Sequence, residues 1–183
     1  NAMENLHKKE KLEYMNQILS GLYIKDSMTG LYNRMGYQKL SESYFSIMRE
    51  KKIPVLVMFV DLDRLKYIND TFGHEYGDFA IVSIAKAMQK HCDADAITAR
   101  TGGDEFIVLE SAKDEEAGML LADKIRAELS ALRKKMQLPF DLSASIGVVV
   151  AQPGGENALE SYVKRAEMLM YEEKTEKKVS RDS

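Results

Sequence analysis

The sequence predicts an α+β domain, a mostly antiparallel central sheet with helices packed on it. Three observations carry that prediction. Residues 54–61 and 142–151 are continuous apolar runs of the kind found in strands covered on both faces. Gly102 and Gly103 separate two strand-like arms, residues 95–101 and 104–110, as in a hairpin whose turn needs positive φ. Between and after these runs lie segments with apolar residues at helical spacing, the clearest being 114–135 with Met119, Leu120, Ala122, Ile125 and Leu129. Strands and helices in that order make an α+β arrangement.

Taken along the chain, residues 4–24 carry Leu6, Leu12, Met15, Ile18, Leu19 and Leu22 among lysines and glutamates. That stripe predicts a helix, either packed on the domain or serving as a coiled-coil connector to a partner domain, with the connector preferred. A polar break at Lys25-Asp26-Ser27 follows, and Asn33 is a suitable N-cap for a helix over 34–51. Further helices are expected over 64–71 and 75–91. Pro139 ends the helix begun at 114, Gln152-Pro153-Gly154-Gly155 makes a turn, and a last helix runs over 158–174. The expected division is a helical linker over 1–24, a domain over 25–178 and a tail over 179–183.

With 183 residues, 45% hydrophobic and 30% charged, the chain is sized for one domain plus a short extension. A net charge of −3 gives no sign of a nucleic-acid surface. The lone Cys92 precludes an intrachain disulfide and suits a reducing, cytoplasmic setting. No apolar run is long enough to span a bilayer, so no membrane contact by this chain is expected. Asn1-Ala2 ahead of Met3 reads as a remnant of tag cleavage, which predicts a fragment of a longer and perhaps membrane-anchored protein. His7, His91 and Cys92 lack zinc-ligand spacing.

The chemistry gathers in three stretches. The strand over 54–61 ends in Asp61-Leu62-Asp63, and the hairpin carries Gly102-Gly103-Asp104-Glu105-Phe106. If those strands are neighbours, Asp61, Asp104 and Glu105 meet at one sheet edge, where carboxylates repel unless a divalent cation neutralises them. Asp63 is expected to point away from Asp61 at the strand end, leaving Asp61 as the one that joins a shared site. Leu62-Asp63-Arg64-Leu65-Lys66 passes from strand to helix, where backbone N–H groups and Lys66 can cradle phosphate. Asn69 to Asp78 places amide, imidazole and carboxylate groups between glycines; an Asn with an Asp matches the donor–acceptor edge of guanine. No Gly-x4-Gly-Lys-Ser/Thr is present, so this is not a P-loop protein.

On these motifs, together with Asp26-x-Met28-Thr29-Gly30-Leu31-Tyr32-Asn33-Arg34, Ser145-Ile146-Gly147 and Tyr171-x-x-Lys174, the chain resembles the GGDEF domain, the catalytic module of diguanylate cyclases, over about residues 26–178. The resemblance implies a ferredoxin-like sheet of about five strands, similar to the adenylyl cyclase core and polymerase palm. It implies condensation of two GTP into cyclic di-GMP and two pyrophosphates by a homodimer, with two Mg²⁺ ions per site (Mn²⁺ a substitute). Asp61, Asp104, Glu105 and the Leu62 carbonyl would hold the metals, and Asp104 would take the 3′-hydroxyl proton. Asn69, His74 and Asp78 would read guanine. Arg64 and Leu65 amides, Lys66, Lys174 and Lys178 would hold phosphates, while Gly102 and Gly103 admit the α-phosphate. An upstream sensor domain is the expected partner.

Two departures from the family pattern matter. Where many members have an inhibitory Arg-x-x-Asp, this chain has Asp93 and Ala96, which predicts no product inhibition there. Where Gly-Arg-Asn often follows Lys174, this chain has Lys177-Lys178-Val179; Lys178 brings the charge of the arginine without its bidentate fork. The alternative to an active enzyme is a regulatory module that binds GTP or dimerises without turnover.

Overall fold

The computed structural model describes residues 2–182, apart from the side chain of Leu22; Asn1 lies outside the described residues. In chain order the elements are α1 (Ala2–Tyr23), α2 (Arg34–Glu50), β1 (Val55–Leu62), α3 (Leu65–Phe72), α4 (His74–His91), β2 (Ile97–Arg100), β3 (Glu105–Ser111), α5 (Glu115–Met136), β4 (Ala144–Ala151) and α6 (Leu159–Asp182). The strands form one sheet in the order β2-β3-β1-β4, with every neighbouring pair antiparallel. This is the split βαβ, ferredoxin-like arrangement. Four strands are present among the described residues, not the five expected. Tyr32 instead makes isolated bridges to Lys25 and Ala99 at the outer side of β2.

Pleating explains why β1 is apolar without alternation. Leu56, Met58, Val60 and Leu62 point into a core shared with α3, α4 and α5, through Ile68, Ile84, Met88, Ile125 and Leu129. Val55, Val57 and Phe59 point the other way, into a core made with α2 and α6 through Phe45, Met48, Tyr162, Ala166 and Met170. All eight β1 residues are buried as a result. Asn33 caps α2 as expected, its side chain accepting from Gly36 N–H at 2.9 Å.

Several boundaries differ from those the sequence suggests. The first hairpin arm is shorter than expected and the second is shifted by one residue, leaving Asp104 in the turn. Gly102 and Gly103 do not adopt the left-handed φ expected of them. A Cβ at Gly102 would stand 2.9 Å from Glu105 Oε2, the mobile end of that side chain. Helix α6 runs on to Asp182 instead of stopping near 174, because neither glycine nor proline follows Lys174 to end it. Most of the stretch assigned to a tail is therefore helix. Helix α1 leaves Leu6, Leu12, Met15, Ile18 and Leu19 at least 45% exposed, so its stripe is not packed on the domain.

At the far end of β3 from the hairpin, Glu110 is only 5% exposed and accepts from the Asp93 N–H. Burial pushes its carboxyl up to about 7; the Asp93 amide opposes this, and the Asp93 and Asp95 carboxylates add to it. A raised folded-state value means that stability is full below the unfolded value near 4.5 and falls as pH rises through about 7. Glu110→Gln is therefore expected to stabilise the protein at pH 8 by on the order of 1–3 kcal/mol. Urea melts should show that gain shrinking steadily toward pH 5.

Candidate active site

The acidic trio is assembled by strand register. Asp61 lies opposite Glu105 across the β1–β3 pair, and the Leu62 N–H donates to Asp104 O at 2.9 Å, tying the hairpin turn to the end of β1. One carboxylate oxygen from each of Asp61, Asp104 and Glu105 lies within 4.8 Å of the others. Leu62, whose carbonyl is the fourth expected ligand, is fully buried as the last residue of β1. Three hard oxygen donors gathered this closely fit a divalent cation of the Mg²⁺ or Mn²⁺ type.

The hairpin turn is braced from outside. Arg100 donates to Gly103 O at 2.8 and 3.2 Å and to the Asp26 carboxylate at 3.3 and 3.4 Å. Asp26 also accepts from Thr29, and Arg34 donates to Thr101 O at 3.2 Å. The segment that leaves α1 is thus stitched directly to the loop bearing Asp104.

Asp61 and Asp63 do not diverge as expected. Residues two apart share a strand face, and both carboxylates reach α6. Lys174 Nζ stands 2.7 Å from Asp61 Oδ1, and Lys177 Nζ stands 2.9 Å from Asp63 Oδ2. What separates them is their partners. Asp63 also accepts from Ser143 at 2.7 Å and Ser145 at 2.6 Å, and Lys177 caps the Ala144 carbonyl at 2.8 Å. Burial works to raise Asp63, but the bonds from Ser145, Lys177 and Ser143 outweigh it and hold the carboxyl below its usual range. Asp61 is the reverse case: burial pushes it up to about 6, Lys174 opposes, and neighbouring Asp104 reinforces the rise. Asp63 is a satisfied anchor, whereas Asp61 has carboxylate neighbours that a cation would relieve.

A cavity of about 770 Å³ opens beside the trio, and Arg64, Leu65, Lys66, Asp104, Lys174 and Lys178 all line it. Arg64 adopts φ 59° and ψ 32°, a left-handed turn that directs the chain from β1 into α3. The first α-helical bond there is Ile68 N–H to Arg64 O, so the preceding amides are not spent on the helix. The Arg64 guanidinium lies 3.8 Å from the Tyr67 ring centroid.

Asn69, His74 and Asp78 are not among the cavity's lining residues. They sit on α3 and α4, joined at Gly73, with His74 and Asp78 exposed one turn apart. Asn69 Oδ1 is buried with no hydrogen-bond partner and lies against Gly77, where a Cβ would come within 1.7 Å of it. An unpaired buried acceptor is costly. Gly77 is what makes room for that amide. Gly102 and Gly103 adjoin the trio without lining the cavity.

Sequence reasoning missed Lys177, Ser143 and Glu173. Glu173 pairs with Arg126 at 3.0 Å and accepts from the Ile146 N–H at 2.5 Å, a second clasp between α6 and β4. The only sequence signal was the spacing of Lys177 one turn after Glu173.

Comparison with known proteins agrees with this geometry. The family profile described as "Diguanylate cyclase, GGDEF domain" matches residues 23–180. The probable diguanylate cyclase DgcC of Escherichia coli K12 is 30% identical over 164 residues, 90% of this chain and 44% of DgcC. Diguanylate cyclase VdcA of Vibrio cholerae is 35% identical over 154 residues, 81% of this chain and 43% of VdcA. The chain therefore spans less than half the length of these curated relatives. The crystal structure of the coiled coil and GGDEF domain of Caulobacter crescentus DgcB, in complex with c-di-GMP, superposes with a TM-score of 0.82 at 23% identity, covering 95% of this chain and 92% of that one. With the profile spanning the body of the chain and the acidic trio in place, this protein belongs to the diguanylate cyclase GGDEF-domain family.

Proposed function

We propose that this chain is a diguanylate cyclase that joins two GTP molecules into cyclic di-GMP with release of two pyrophosphates. One observation carries the reading: Asp61, Asp104 and Glu105 converge at a sheet edge beside a cavity whose wall includes Arg64, Lys66, Lys174 and Lys178. A bound Mg²⁺ pair, held by these carboxylates and the Leu62 carbonyl, would neutralise triphosphate charge and sharpen the attacking oxygen. The chain's own groups do the rest. Lys66, Lys174, Lys178 and the Arg64–Leu65 amides grip phosphates, and Asp104 accepts the 3′-hydroxyl proton. Asn69 and Asp78 read the guanine edge, with His74 beside them. Each 3′-oxygen forms a bond to the other nucleotide's α-phosphorus as the bond to pyrophosphate breaks.

One domain offers one such site, so the reaction needs two copies face to face. Proximity of that kind is worth about 7–11 kcal/mol of barrier at best. Residues 2–24 serve as the connector that aligns the copies. Leu12, Met15, Leu19 and Leu22 are spaced 3-4-3 in sequence, and the first three stand exposed. A sensor domain upstream would act through this helix, and the Asp26–Arg100 and Arg34–Thr101 contacts would pass its state to the hairpin. No helix among the described residues is long and apolar enough to cross a membrane, which suits a cytoplasmic catalytic unit. Product inhibition near Asp93 is disfavoured, since the Asp93 and Asp95 carboxylates would repel a bis-phosphate.

Incubation with GTP and Mg²⁺ should yield cyclic di-GMP by mass spectrometry, and removal of residues 2–24 should cut the rate at least 10-fold at low protein concentration. GTP binding without any product, even when dimerisation is forced, would establish the non-catalytic alternative instead.

A further inference from the structure

We propose that Arg181 is a ligand for the terminal phosphates of the substrate, supplying the guanidinium fork that Lys178 lacks. The inference rests on the GTP reading above and deepens it. It begins with the length of α6. Because the helix runs unbroken to Asp182, Lys174, Lys178 and Arg181 fall at i, i+4 and i+7, on one face. They span roughly 10 Å along the axis at 1.5 Å per residue, and all three line the same cavity.

The rotation of the helix is fixed by its other face. Met170 is buried in the core, Glu173 accepts from Ile146 N–H, and Lys177 is held by Asp63 and the Ala144 carbonyl. With those residues committed to β1 and β4, the adjoining face cannot turn away from the cavity. Lys174 contacts Asp61, so its end of the cavity is the metal end. Arg181 lies two turns beyond, where the phosphates furthest from the reacting one would extend.

Charge supports the same assignment. Arg126 and Arg133 are engaged by Glu173 and Asp141, and Arg100 by Asp26, whereas Arg181 forms no ion pair among the described residues. Two of the acids on the cavity wall are already neutralised, Asp63 by Lys177 and Asp141 by Arg133. Asp104 belongs to the cation trio, and Asp182 is the remaining acid there. A guanidinium binds phosphate oxygens two at a time, which an ammonium cannot do.

Calorimetry on the whole chain with Mg²⁺ tests this, using the non-reacting α,β-methylene analogue of GTP, GDP and GMP. Arg181→Ala is expected to weaken the triphosphate analogue about 10-fold, GDP by less than 3-fold and GMP not at all, consistent with one lost charge-assisted contact. Arg181→Lys should recover part of the loss. Arg181→Gln, which keeps the long stem and the helix propensity, should follow the alanine variant, all at an unchanged melting temperature. Equal weakening of the three nucleotides, or none, overturns the inference. Failure of the wild-type chain to bind the triphosphate analogue would sink the GTP reading itself, a different result from wild-type affinity in Arg181→Ala.

Discussion

Asp104→Asn is expected to lower cyclic di-GMP formation by at least 10²–10³-fold, the scale of removing a principal electrostatic stabiliser from a reaction centre. The substitution is nearly isosteric, and the bond that holds the turn to β1 uses the Asp104 main-chain oxygen, which asparagine keeps. The melting temperature should therefore stay within a few degrees while turnover collapses. Charge is the reason. Asp61, Asp104 and Glu105 each place one oxygen within 4.8 Å of the others, and a divalent cation would relieve the repulsion among them. Asp61→Asn should give a comparable loss with one difference, since it also frees Lys174 from its 2.7 Å contact. The raised value of Asp61, about 6, sets the pH dependence. Metal ligation requires the ionised carboxylate, so metal affinity should fall as pH drops through 6, and binding near that pH should release a proton. Calorimetry in buffers of differing ionisation enthalpy reads that proton directly. A variant retaining more than a tenth of wild-type turnover would remove Asp104 from the reaction centre.

How much of this was legible in the sequence depends on what each residue's position requires. Asp61 and the Asp104–Glu105 pair were legible because apolar strands fix their own register, and the acids sit where burial stops. The helices declared themselves by spacing and by Asn33 and Pro139. The Asp63–Lys177 lock was not legible. A lysine three residues after Lys174 looks solvated until the packing of α6 on β4 is known, and Asp63 reads as pointing away from Asp61 at the strand end until Ser143, Ser145 and Lys177 are placed around it. Asn69 was legible as a polar residue but not as a buried, unpaired amide leaning on Gly77, because that contact spans two helices. The five-strand expectation came from resemblance alone, and here α6 continues as helix through Asp182. The glycines of the hairpin were read for their conformational freedom, whereas neither takes a left-handed φ.

Gly147→Ala is expected to be the most damaging single methyl in the domain. A Cβ at this position would stand 1.8 Å from the Ala166 carbonyl oxygen and 2.7 Å from the Met170 nitrogen, both backbone atoms of α6. No rotamer change relieves a clash with backbone, so the whole helix must lift from β4. Overpacking of that kind costs about 3 kcal/mol or more. For a chain of 183 residues that cost corresponds to a fall in melting temperature of roughly 6–12 °C. Gly103→Ala is the control: nothing lies within 4 Å of its Cβ position and its φ is not left-handed, so stability should change by less than about 1 kcal/mol. The Gly147 variant should fail in function as well, even at temperatures where it remains folded. Lys174 reaches Asp61, and Lys177 reaches Asp63, only while α6 lies against the sheet. Lifting the helix withdraws the basic wall of the cavity from the acidic trio. Nucleotide affinity should therefore drop along with stability, while a destabilising substitution of similar size in the core on the other face of the sheet, such as Leu129→Ala, should leave affinity unchanged in the folded fraction.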